Sequence, residues 1–95
     1  MKKEPSIHDF ERAIKREYGC LSALHSRRVV NEVFPERSVW EGEVLTFDLL
    51  NHPTYARCYA WAMDGEVTAV IHEGPVDSPR AAVRAVIGAD TSEKP

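Results

Sequence analysis

Four histidines and two cysteines are the side chains in this chain best suited to attack, proton shuttling or metal ligation, and their spacing organises none of these reactions. His8, His25, His52 and His72 stand far apart, and no HExxH or CxxC pattern links them to each other or to Cys20 and Cys58. The histidines read as solvated or capping residues and the cysteines as free, partly buried thiols. Cys58 would be a nucleophile only if it were exposed beside a histidine, and its strand position predicts burial. The five glycines are isolated from one another, so no phosphate-cradling loop is present. One loop, His72 to Asp77, gathers a histidine and two carboxylates before a helix start, where backbone N–H groups favour anions. It is the place where a small enzyme using His72 with Glu73 or Asp77 would have its site. The expectation is nevertheless no catalytic residue, no metal and no cofactor.

A different constellation carries more information. Arg57, Tyr59 and Trp61 recur at every second position, the spacing that puts side chains on one face of a strand. Tyr, Trp and Arg are enriched where proteins bind one another. The elements around them decide whether that face is open.

Ser6 followed by Asp9 forms a helix-starting capping box, and Ile7, Phe10, Ile14 and Tyr18 continue at helical spacing to Gly19. Four extended segments follow, roughly Arg27 to Phe34, Val39 to Leu50, Tyr55 to Met63 and Glu66 to His72. They are separated at Pro35 to Ser38, Asn51 to Thr54, and Asp64 with Gly65, the last a two-residue primed turn. Ser78 and Pro79 then start a second helix expected to run to about Ile87, with Ala82, Val83, Val86 and Ile87 as its buried stripe and Gly88 beyond its end. The reading is one α+β domain spanning 1–95, with its core at about 6–89 and flexible tails at 1–5 and 90–95. Short connections make the sheet an antiparallel meander in the order α-β-β-β-β-α.

The turns also set a register. A two-residue bend at Asp64 and Gly65 pairs Met63 with Glu66, Trp61 with Thr68, Tyr59 with Val70, and Arg57 with His72. The loop from Asn51 to Thr54 sets Asp48 opposite Arg57, Thr46 opposite Tyr59, and Val44 opposite Trp61. One face is then wholly apolar: Leu45, Phe47, Leu49, Ala56, Cys58, Ala60, Val67, Ala69 and Ile71. Both helices are expected to pack on it, giving two layers. The other face, with Val44, Thr46, Arg57, Tyr59, Trp61 and His72, is expected to stay open as a binding surface, most simply for a sheet-on-sheet homodimer. A bulge at Gly42 would shift part of this register, and the first strand has two registers, presenting either Val29 and Val33 or Val30 and Phe34 on the open side.

Charge and composition limit the partners. Hydrophobic residues make up 43% of the 95 positions and charged residues 28%, ordinary for a globular domain. The net charge of −3 conceals a segment from Val39 to Pro79 with seven acidic residues against Arg57 alone. The basic residues are scattered, which disfavours duplex nucleic acid; a single strand stacked on Tyr59 and Trp61 with Arg57 or Arg27 at its phosphates is the alternative partner. Another protein or a second copy is the expected one. Met1, Lys2 and Lys3 are followed by Glu4, Pro5 and Ser6 rather than an apolar run, and no segment approaches membrane-spanning length, so a cytoplasmic location without membrane contact is expected. The element order is similar to the topology of double-stranded RNA-binding domains, but those have three strands and a basic start to the last helix, whereas this one opens with Asp77, Ser78, Pro79 and Arg80.

Overall fold

The computed structural model describes residues 5–34, 39–63 and 65–92, with side chains placed through Ile87. Helix α1 spans Ile7–Tyr18. Its first turn is closed by the expected capping box: the Asp9 N–H donates to Ser6 Oγ at 3.2 Å and the Ser6 N–H to Asp9 Oδ2 at 2.9 Å. Gly19 ends it in the left-handed region at φ 72°, a conformation that suits a residue without Cβ.

Strands β1 (Leu21–Val33), β2 (Val39–Leu50), β3 (Arg57–Met63) and β4 (Glu66–Ile71) form one antiparallel sheet in the order β1-β2-β3-β4, and helix α2 follows at Pro79–Ser92. The α-β-β-β-β-α meander is the expected one. So is the register of its centre: Leu45 faces Ala60, Thr46 faces Tyr59, Phe47 faces Cys58, Asp48 faces Arg57, and Met63 faces Glu66. The ladder is closed by the Leu49 N–H donating to the Ala56 carbonyl and the His72 N–H to the Arg57 carbonyl. Gly65 adopts φ 82°, as a primed turn requires; Asp64 and the expected turn at 35–38 lie outside the described residues.

Two elements are longer than the sequence predicts. β1 begins at Leu21 rather than Arg27, because its ladder slips between Leu24 and Ser26. The slip puts both Leu24 and Arg27 on the α1 side, so residues 21–26 carry no single period of two across it. The ladder is unbroken at Gly42, where a bulge had been an alternative. A Cβ at Gly42 would come within 3.0 Å of the Trp40 ring, so glycine lets that indole lie across the strand. α2 runs through Gly88 to Ser92, including part of the expected tail, since one glycine weakens a helix by about 1 kcal/mol without ending it.

The main correction concerns the layers. The helices do not share a face. α1 packs Phe10 and Ile14 onto Leu45, Phe47, Leu49, Cys58 and Ala60, while α2 packs Ala82 and Val83 onto Val30, Phe34, Val44, Tyr59 and Trp61. The architecture is therefore three layers, helix, sheet and helix. The physical reason is that both sheet faces are apolar, and the loop between Ile71 and Pro79 carries the chain to the uncovered side.

Candidate functional site

The face expected to bind is divided by α2 into a sealed part and a polar rim. Trp61 and Val44 are 0% exposed, Tyr59 3% and Thr46 4%. Trp61 packs edge-on to Trp40, with ring centroids 5.8 Å apart, and its buried Nε1 has no hydrogen-bond partner among the described residues. Val44 and Trp61 are thus core, and a base or a second sheet cannot reach the rings beneath α2.

The polar rim brings together Thr46, Arg57, Tyr59 and His72. Tyr59 Oη lies 2.6 Å from His72 Nδ1, and Arg57 donates through Nε and Nη2 to Asp48 Oδ1 at 3.1 and 3.0 Å. A cleft of about 370 Å³ opens here between the β1 bulge and the start of α2, lined by His25, Arg28, Thr46, Arg57, Tyr59 and Asp77. Burial raises the Tyr59 pKa above its ordinary value; the Arg57 charge pulls it down and Asp77 pushes it up again. That hydroxyl stays protonated and already engaged, which is a structural role. The His72 to Asp77 loop is held by reciprocal backbone hydrogen bonds between Glu73 and Val76, both 3.1 Å, with Gly74 at φ 61°. Among the described residues no three His, Cys, Asp or Glu side chains converge as a metal site requires. Cys58 is sealed under α1 and its thiol is pushed up to about 12, chiefly by burial and then by Cys20, so it is no nucleophile.

Among the described residues an unpaired strand edge lies elsewhere, along β1. This strand is one of the two edges of the sheet and has 13 residues, long against the usual ~5–6. Which of its backbone groups are free follows from one bond. The Leu49 N–H points to β3, so odd residues of β2 face β3 and even ones face β1. Their partners Arg28, Val30 and Glu32 are therefore the β1 residues bonded inward. Arg27, Val29, Asn31 and Val33 direct their N–H and C=O groups to the open edge. Arg80 confirms the assignment by donating from Nη1 to the Asn31 carbonyl at 3.2 Å.

The side chains along this edge divide by face. Val29 and Val33 point to the α1 side beyond the reach of α1 and are 67% and 64% exposed, with Val39 opposite Val33 at 62%. On the α2 side stand Arg28, Glu32 and the arginines of α2. Arg80 and Arg84 hold the two oxygens of Glu32 at 2.7 and 2.8 Å, and their hydrogen bonds and charge hold its carboxyl below the ordinary 4.5. Of the two registers open to the first strand, β1 takes the one that sets Val30 and Phe34 beside Tyr59 and Trp61, which turns Val29 and Val33 to the opposite face. The signal that identifies them is exposure, which needs the course of α1. No family model matches this chain, and neither does any curated protein or solved structure.

Proposed function

We propose that this chain is a non-catalytic interaction domain that binds an extended segment of another protein along the open edge of β1. The observation that supports the reading is the coincidence, at Val29 and Val33, of outward-directed backbone groups and exposed apolar side chains. Backbone groups at a sheet edge supply affinity for an added strand, and alternate side chains supply selectivity. The sheet-on-sheet homodimer through Tyr59 and Trp61 gives way to edge docking, because those rings are occupied by α2. Stacking of nucleic-acid bases on the same rings falls for the same reason.

The test is site-specific photo-crosslinking in native cells. A benzophenone side chain at Val29 or Val33 is expected to give discrete protein adducts, and one at Met63, exposed on the inner strand β3, to give none. Absence of adducts from both β1 positions would remove the reading.

A further inference from the structure

We infer that the strand accepted by β1 alternates acidic and apolar residues. The inference rests on the edge-docking reading and names its partner by charge. In a chain of net charge −3, the α2 side of this edge is locally cationic. Arg28 projects there opposite Val44 and has no acidic partner among the described residues. Arg80 and Arg84 share the single carboxylate of Glu32 and remain 53% and 61% exposed, so the cluster carries one uncompensated positive charge. On the α1 side Arg27 is neutralised by Glu43 at 3.8 Å, leaving Val29 and Val33 as the exposed apolar positions.

An added strand continues the pleat, so its side chains alternate between these two environments. Those on the α2 side meet Arg28 and Arg80; those on the other meet the valines. Carboxylates therefore fit one set and apolar side chains the other. A second copy pairing through its own β1 fits less well, because it brings the uncompensated arginines of both copies to one seam. Arg80 is the one side chain among the described residues bonded to an outward β1 carbonyl, that of Asn31. A carboxylate on the incoming strand gives this exposed arginine an alternative partner as the Asn31 carbonyl is taken over by a backbone N–H.

The experiment titrates labelled heptapeptides into the full chain and follows anisotropy. The acidic probe is Thr-Glu-Val-Glu-Val-Glu-Thr and the basic probe Thr-Lys-Val-Lys-Val-Lys-Thr, both blocked at their ends, at low and at physiological salt. The acidic probe is expected to bind at least about tenfold more tightly, with the margin narrowing as salt screens the edge. Arg28→Glu should abolish the preference, because it cancels the one charge left uncompensated on Arg80 and Arg84. Asn31→Pro should weaken both probes at least about tenfold while the fold persists, since the lost N–H points outward and proline is tolerated on an edge. Equal affinity for the two probes overturns the charge assignment and leaves edge docking standing. Binding of neither probe overturns both. Sedimentation of the chain alone as a dimer that Asn31→Pro dissociates would overturn the acidic partner in favour of a second copy.

Discussion

Replacing Trp61 by alanine separates an open sheet face from a covered one by a wide margin. Were its ring solvent-facing, the substitution would change stability by no more than about 0.5 kcal/mol. In the structure Trp61 is 0% exposed and packs with Trp40, Val44, Ala82 and Val83. A buried aromatic removes roughly 150–250 Å² from water, which at about 25 cal/mol per Å² is roughly 4–6 kcal/mol. Against this, the variant also deletes a buried indole N–H without a hydrogen-bond partner among the described residues, whose removal returns about 1 kcal/mol. The expected net cost is about 3–5 kcal/mol, the range found when large aromatics are truncated in cores. A domain of this size has roughly 5–14 kcal/mol in total, so the loss takes at least about a fifth of it and should lower Tm by at least about 12 °C. Urea unfolding followed by far-ultraviolet circular dichroism measures the difference directly. Trp61→Phe, which keeps most of the ring and discards the orphan donor, should cost much less. A Trp61→Ala cost below 1 kcal/mol would refute the seating of α2 on this face.

Three further outcomes follow from individual contacts. In the native protein at pH 8 a thiol reagent should modify the partly exposed Cys20 and spare Cys58, whose pKa is pushed up to about 12 and whose side chain is sealed; equal rates at the two thiols would contradict the packing. Because the folded pKa of Glu32 is depressed by its two arginines, its contribution is present above the ordinary 4.5 and is lost as pH falls through the lower folded value. Urea midpoints at pH 7 and pH 3 should accordingly differ less in Glu32→Gln than in the wild type, and an unchanged difference would argue against the clamp. Ser6→Ala removes the α1 cap and should cost about 1 kcal/mol in the same assay, whereas a loss below a few tenths would mean that the cap is idle.

The parts of this fold that were readable are those set by local chemistry. Ser6 with Asp9 and Gly19 bound α1 at both ends, and Gly65 with the loop at residues 51–54 fixes the register of β2, β3 and β4 residue by residue. Strand alternation also separates Ala60 from Trp61 correctly. What alternation cannot supply is which face a distant helix covers, because both faces are apolar enough to attract one. Tyr59 and Trp61 have the composition of a binding surface and of a core alike, and only the path of residues 72–78 decides between them. The β1 edge was hidden for a related reason: the slip between Leu24 and Ser26 scrambles the apolar alternation that would have revealed a 13-residue strand.

The two edges of the sheet are managed differently, and the difference supports the proposal of β1 over β4 as the docking edge. On β4 the Tyr59–Val70 and Trp61–Thr68 pairs face inward, which leaves Val67, Ala69 and Ile71 directed outward over a strand of six residues. The carbonyl of Ala69, at its middle, accepts a 3.1 Å hydrogen bond from Tyr18 Oη. Tyr18 packs against the α1 core, so this stopper is anchored. On β1 the corresponding stopper is Arg80, a long and half-exposed side chain with a second partner in Glu32. Displacing Tyr18 would disturb a packed aromatic ring; displacing Arg80 from Asn31 exchanges one hydrogen bond on an exposed guanidinium for another. The clamp of Arg80 and Arg84 on Glu32 also ties β1 to α2. On the proposed reading, an incoming segment then meets a braced edge, and docking costs mainly the ordering of that segment.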